Sequence, residues 1–289
     1  MENLFKVGGG LMWAVLGKIA CKLPADLVGD LNDDPKMIEA MVKSAIEYRV
    51  AKLAEAEKNH YEMTVEEQIA ALRRANEEES ASNPHWVRIP EEDFARLAST
   101  APAWPKGKHA YRSFRIRFGE GDEGVAKTFE AHNTRIQHVF GESNYWRWEH
   151  LHSGSVPFKG KPVERLRLLN GNHTHRPVIE WIVADLDAHR KRDSLTAVRG
   201  PKSLADELLV FAWLFPDMIR AIDYDKNPGL FAAGYEVNTP ECGDESWRGV
   251  VIVSFDRDAR RVNVYAYGRG RSGSDYSVPA LREFKAHGA

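Results

Sequence analysis

The sequence contains only two cysteines, Cys21 and Cys242, and they form no Cys-x-x-Cys pair. This scarcity excludes a disulfide framework and a zinc site built from thiolates, and it predicts a reducing, cytoplasmic compartment. The formal net charge is only −2, so no global field marks the chain as a nucleic-acid or membrane binder. A function must therefore be sought in a local group of residues.

Long hydrophobic runs are also missing. The longest run near the amino terminus, residues 7–17, lies between Lys6 and Lys18. A membrane-spanning helix needs about 20 apolar residues, so we predict no transmembrane segment. The run has the length of a signal-peptide core, but Glu2 and three consecutive glycines argue against that interpretation. We expect a retained terminal helix, with docking to a protein or a membrane surface as the alternative.

The composition is that of a globular protein, with 43% hydrophobic and 28% charged residues. We predict a helical amino-terminal region over residues 1–80. Its helices are indicated by Asp34-Pro35, which is typical of a helix start, and by the capping box Thr64-Val65-Glu66-Glu67. Residues 81–108 contain four prolines and predict a linker or irregular wrap, which a short helix through Phe94 and Leu97 interrupts.

Residues 109–289 predict an α+β domain. An aromatic, alternating pattern indicates a strand over 111–118, and two further strands are predicted over 145–152 and 163–169. Further on, residues 250–255 and 261–267 predict a hairpin. Apolar stripes predict helices from Pro177 to Leu186 and from Leu204 to Phe215, the second of them central and buried. The predicted fold class is α+β, a helical amino-terminal region followed by an antiparallel sheet packed by two or three helices.

Basic, aromatic and histidine residues crowd together in residues 109–176. This segment holds eleven Lys or Arg against seven Asp or Glu, and seven of the eleven histidines. Arg115 and Arg117 would share one strand face, while Phe114, Ile116 and Phe118 would point inward. A sheet face that carries arginine beside aromatic rings is a surface on which bases stack and phosphates are neutralised.

The residues predicted to bind RNA or DNA are these basic and aromatic side chains. After the hairpin, Gly268 to Gly273 spells a glycine-arginine run, which predicts a flexible basic loop because too little chain follows it for a dinucleotide-binding unit. The full set is Arg112, Arg115, Arg117, Trp146, Arg147, Lys159, Lys161, Arg165, Arg167, Arg269 and Arg271.

Two His-x-His triplets give a second hypothesis. On a strand, His150 and His152 would point to the same side, as would His173 and His175, and two imidazoles are good ligands for one metal ion. A divalent metal is thus the one cofactor that the sequence suggests. Trp146 and Trp148 alternate with the first triplet, so a mixed aromatic core explains the same spacing.

Three functions stay open at this point. The first is a nucleic-acid-associated, polyanion-binding accessory protein that uses the basic and aromatic sheet face. The second is a metal-dependent nuclease or phosphoesterase that uses a His-x-His site. The third is an interaction or assembly protein that docks a partner through its amino-terminal helices. The sequence does not decide whether the protein is an enzyme.

Overall fold

A computed structural model describes residues 43–44, 46–50, 59–149, 151, 155–158, 161–164, 166–168, 175–190, 202–238, 247–268 and 275–283. The chain divides into two compact units, Met1–Lys58 and Asn59–Ala289. Of the first unit, residues 43–44 and 46–50 are described, and they are helical. The predicted helix start at Asp34-Pro35 and the apolar run 7–17 lie outside the described residues.

Two helices precede the sheet in the second unit. Helix α1 (Val65–Ser82) begins at the predicted capping box: the Glu67 backbone N–H donates to the Thr64 hydroxyl, and the Thr64 N–H donates to the Glu67 carboxylate. Helix α2 (Glu91–Ser99) buries Phe94 and Leu97, as predicted. The connection between the helices is packed, because Asn76 accepts hydrogen bonds from the Trp86 ring and from the Ile89 backbone.

The long helix α3 (Gly121–Phe140) was not predicted from the sequence. It follows strand β1 (Ala110–Arg117) after a turn in which Gly119 and Gly121 have φ of 76° and 58°. The sequence signal was weak because the buried side of α3 is mixed, with the polar residues Thr128 and His132 among apolar ones. These polar side chains hydrogen-bond to the backbone near β1, which explains why they can be buried.

After β1, the described residues of the second unit form nine further strands: β2 (Tyr145–Arg147), β3 (Ser155–Phe158), β4 (Lys161–Glu164), β5 (Leu166–Leu168), β6 (Val178–Arg190), β7 (Gly229–Asn238), β8 (Trp247–Asp256), β9 (Arg261–Gly268) and β10 (Tyr276–Arg282). Eight of the ten strands form one mixed sheet, in which seven lie in the order β1-β6-β10-β7-β8-β9-β2 and β5 pairs with β7 beyond the end of β10. Strands β3 and β4 form a separate hairpin. The sheet pairs β10–β7 and β2–β9 are parallel and the others antiparallel, so the α+β class is confirmed but the purely antiparallel sheet is wrong.

Strand β6 corrects the helix predicted after Pro177. It is a 13-residue strand between β1 and β10. Trp181 and Ile182 point to opposite faces and are both 4% exposed. Because both faces are covered, the segment lacks the polar alternation of a half-exposed strand and resembles a helical stripe. Its β-branched residues fit the pleated sheet better.

The predicted central helix is confirmed as α4 (Asp206–Leu214), all of whose residues are buried. Pro216 ends it and opens the short helix α5 (Pro216–Arg220). The segment before α4 lies against β7 at Gly234, where a Cβ atom would lie 2.9 Å from the Ser203 carbonyl oxygen. No helix in the described part of the chain has the length and apolar character needed to cross a membrane.

Candidate nucleic-acid interface

Arg112, at the start of the predicted basic face, is buried, with 4% of its surface exposed. Its Nε donates to the Gln68 side chain at 2.7 Å, and its terminal nitrogens donate to the carbonyl oxygens of Pro102 and Met63. The guanidinium carbon lies 5.1 Å from the ring centroid of Trp181. Burial lowers the pKa of Arg112. These contacts place its donors inside the protein.

Arg115 and Arg117 share one face of β1, as the alternation predicts, but α4 packs on that face. Arg117 bonds Asp206 through two nitrogens at 2.8 and 3.1 Å. Arg115 donates to Glu207 and to Glu180, each at 2.6 Å. The predicted solvent-facing row of arginines is thus an ion-pair network at the first turn of α4.

Burial alone would discourage ionisation of Asp206, since its carboxylate is almost fully enclosed. Arg117 outweighs burial and lowers the pKa of Asp206. The arginine in turn keeps its charge, because Asp206 and Glu207 raise its pKa despite burial. The network consists of mutually dependent charges and is stable only while each partner stays ionised.

His175 is the one described member of the two His-x-His triplets. It is 2% exposed, and its Nε2 lies 3.1 Å from the Thr128 hydroxyl. Burial lowers its pKa. His150, His152 and His173 lie outside the described residues, and within the described ranges no group of three His, Cys, Asp or Glu has the geometry of a metal site.

The other predicted cations are placed in several parts of the molecule. Arg147 pairs with Glu130 at 2.6 Å, and Arg167 pairs with Glu236 at 2.8 Å. Lys161 begins β4. The structure therefore does not bring the predicted set together on one surface. Four further members lie outside the described residues: Lys159, Arg165, Arg269 and Arg271.

Trp146 is the one aromatic residue in the predicted nucleic-acid-binding set, and it is open to solvent. It is 37% exposed and lies on β2, directly opposite Asn263 of β9. Residues directly opposite each other in a sheet share a face, so Trp146, Asn263 and their alternate neighbours Arg261 and Tyr265 lie on one side. We name these four residues the Trp146 face. Val262 and Val264 point the other way, into the main core.

An arginine and a tyrosine flank the indole on this face. The guanidinium carbon of Arg261 lies 5.5 Å from the Trp146 ring centroid, within the range of a cation–π contact. The rings of Trp146 and Tyr265 are 6.4 Å apart and tilted by 51°. The Tyr265 hydroxyl lies 3.2 Å from that of Tyr276 on β10. Burial is the largest cause of the raised pKa of Tyr265, so this phenol stays protonated at neutral pH.

Two polar atoms of the Trp146 face have no hydrogen-bond partner among the described residues. They are Oδ1 of Asn263 and Nε of Arg261, and both are shielded from solvent. Arg261 is otherwise held by Asp256, whose carboxylate lies 3.8 Å from a terminal nitrogen. The face therefore combines a flat ring, a cation with spare donor capacity and an amide.

Two exposed arginines lie in the β8–β9 turn, which directly precedes Arg261 in the chain. Arg257 and Arg260 are exposed, and the turn is closed by the Asp256 carboxylate, which accepts from the backbone N–H groups of Asp258 and Ala259. Arg260 has φ of 52°, a left-handed conformation that the tight turn imposes. Together with Arg261 the turn places three arginines at one end of the hairpin.

The fold and this face define the class of protein, an α+β protein with an aromatic and arginine-bearing sheet face. Comparison with protein-family models, with curated proteins and with solved structures finds no match to this chain. Sequence reasoning found Trp146 but missed Arg261, Asn263 and Tyr265. The signal was present in β9, where polar or aromatic residues alternate with Val262 and Val264.

Proposed function

We propose that the protein binds nucleic acid as an accessory protein, through the Trp146 face and the arginines of the β8–β9 turn. The observation that carries this proposal is the exposed indole of Trp146 with the Arg261 guanidinium 5.5 Å from its centre. Nucleic-acid binders combine such stacking surfaces with cations that neutralise phosphate. The face thus has the two kinds of group that this ligand requires.

The cations available to phosphate are those of the turn. Arg257 and Arg260 are exposed, and the Arg261 side chain is 37% exposed. Phosphate contacts contribute most of the affinity in such complexes and make it salt-dependent. Arg115 and Arg117 contribute less to this proposal, because they are already paired with the carboxylates of Asp206 and Glu207.

A salt titration tests the proposal. Fluorescence anisotropy with a labelled oligonucleotide would be recorded over a range of salt concentrations, and the logarithm of the affinity plotted against that of the salt. We expect a negative slope of magnitude roughly 2 to 3, since each neutralised phosphate contributes about 0.7 to 0.9. Absence of binding at low salt would refute the proposal.

Assembly of the protein, with its amino-terminal helical region docked on a second copy of the chain, is a second candidate. Ile46 and Val50 lie one helical turn apart and are 54% and 59% exposed. Two exposed aliphatic side chains on one helix face are typical of a contact surface. Sedimentation of the wild type and of the Ile46→Glu, Val50→Glu double variant would test self-association, and identical behaviour with no oligomer would count against it.

The metal-dependent nuclease or phosphoesterase stays a prediction from the two His-x-His triplets. His175 is engaged with Thr128, while its three fellow histidines lie outside the described residues. Elemental mass spectrometry of untagged protein, purified without chelator, decides whether a metal is bound. A stoichiometric metal that His150→Ala removes would favour this alternative.

A further inference from the structure

We infer that the Trp146 face takes single-stranded nucleic acid, with one unpaired base stacked on the exposed indole. This inference rests on the nucleic-acid binding proposed above and specifies its ligand. The bases of a duplex are stacked on one another and offer only their edges in the grooves, whereas an unpaired base offers its ring face. An indole that is 37% exposed on a sheet surface is suited to the ring face.

The geometry points to one base on the outer side of Trp146. A base enclosed between two parallel rings needs about 7 Å between them, twice the rise per nucleotide. Trp146 and Tyr265 are 6.4 Å apart and inclined at 51°, so the space between them is too narrow and has the wrong angle. Tyr265 instead lies beside the indole on the same face of the sheet.

The polar groups beside the indole match the other parts of a nucleotide. The Arg261 side chain is 37% exposed and lies next to the exposed Arg260, so the pair can follow a phosphate backbone that leaves the stacked base. Asn263 lies directly opposite Trp146 in the register and has an unpartnered amide oxygen. Because this oxygen is shielded from solvent, it takes no part in binding the stacked base.

Three labelled probes test the inference, each about 12 nucleotides long: an oligothymidine strand, an abasic strand and a duplex. The abasic strand keeps the phosphates and lacks the rings. We expect the oligothymidine to bind roughly tenfold more tightly than the abasic strand, which corresponds to one stacked base. Trp146→Ala should remove that difference and leave the affinity for the abasic strand unchanged, while Trp146→Phe should retain part of it.

The possible failures are distinguishable. If none of the three probes binds at low salt, both this inference and the proposed function are overturned. If the abasic strand or the duplex binds as tightly as the oligothymidine, polyanion binding stands and single-strand stacking is overturned. The same holds if Trp146→Ala binds oligothymidine as the wild type does. Unchanged binding of the abasic strand by Trp146→Ala also serves as the control that the variant is folded.

Discussion

Gln68 and Arg112 hold each other by two reciprocal hydrogen bonds. The Gln68 amide donates to the Arg112 carbonyl oxygen at 2.7 Å, and the Arg112 Nε donates to the Gln68 side-chain oxygen at 2.7 Å. β1 is an edge strand, whose outward carbonyl groups would otherwise be open to pairing with another chain. The side chains of Asn59 and His132 likewise donate hydrogen bonds to the carbonyl oxygens of Ala110 and Ile116, respectively. Side chains of the surrounding segments thus occupy these outward carbonyl groups of β1, which are then not open to pairing with another chain.

Gln68→Ala should destabilise the protein by about 2–4 kcal/mol, because it leaves a buried carbonyl oxygen and a buried guanidinium nitrogen without partners. The free energy of unfolding in urea measures the loss. Gln137→Ala on α3 is the matched control, since Gln137 is half-buried and we expect a change below about 1 kcal/mol. Equal effects of the two substitutions would contradict the role assigned to Gln68.

Stability should fall as the pH drops below about 6.5, the pKa of an unfolded histidine. Burial lowers the pKa of His132 in the folded state, and its neutral ring is fully used: Nε2 donates to the Ile116 carbonyl and Nδ1 accepts from Trp213. Because the folded state disfavours protonation, this contribution is complete above about pH 6.5 and is lost as the pH falls through and below that value.

Urea midpoints between about pH 8 and pH 5 measure this dependence. His132→Gln retains an N–H donor for the Ile116 carbonyl and cannot be protonated in this range. Its stability should therefore decline less steeply with acid than that of the wild type. Parallel curves for the two proteins would show that His132 is not responsible.

Arg117→Met should cost about 3–5 kcal/mol at neutral pH, because the Asp206 carboxylate would remain buried without its partner. Adding Asp206→Asn to Arg117→Met should restore part of the loss, since no buried charge then remains. The free energies of unfolding of the four proteins form a double-mutant cycle. Additive effects of the two substitutions would refute the coupling between Arg117 and Asp206.

Gly234→Ala should destabilise the protein by about 1–3 kcal/mol through overpacking. The new methyl group would lie 2.9 Å from the Ser203 carbonyl oxygen and from the Ala205 Cβ, both in the segment that leads into α4. Gly268→Ala is the control within the same sheet, because no atom of the described residues lies within 4 Å of its added Cβ. Thermal unfolding of the two variants checks the difference, and a Gly234→Ala protein as stable as the control would contradict it.

Arg257→Glu with Arg260→Glu should weaken oligonucleotide binding and reduce the magnitude of the salt slope by about 1 to 2, through loss of phosphate contacts. The measurement is the anisotropy titration described above. Arg74 is exposed on α1, which contacts the edge strand β1 at the other end of the sheet, and Arg74→Glu changes the net charge by half as much as the double turn variant. If it reduces the slope as much as the turn variant does, the effect is one of net charge and not of the turn.

Local sequence signals predicted several elements of the fold. The capping box at Thr64 starts α1, the apolar residues after Ala205 form α4, and the turn after Asp256 joins β8 to β9. Each of these signals acts within a few residues of chain. Strand β6 was predicted as a helix because both of its faces are covered, so its sequence lacks polar alternation. Helix α3 was not predicted because its buried side contains polar residues, which hydrogen-bond to the backbone in and after β1.

The candidate site was predicted in part, for the same reason. The alternation in β1 correctly put Arg115 and Arg117 on one face, but it could not indicate that Asp206 and Glu207 would meet them there. The sequence likewise singled out Trp146 without its partners, which arrive from β9 more than a hundred residues later.

Residue spacing and backbone propensity within single segments suffice to predict the α+β class, the capped start of α1 and the alternation of strands β1, β8 and β9. Tertiary packing sets which charged face is covered and which ring stays open to solvent. That choice depends on pairings between distant segments: α4 packs on the arginines of β1, while the face of β2 and β9 keeps Trp146 exposed. Burial and charge pairing across such distances leave no pattern within a single segment.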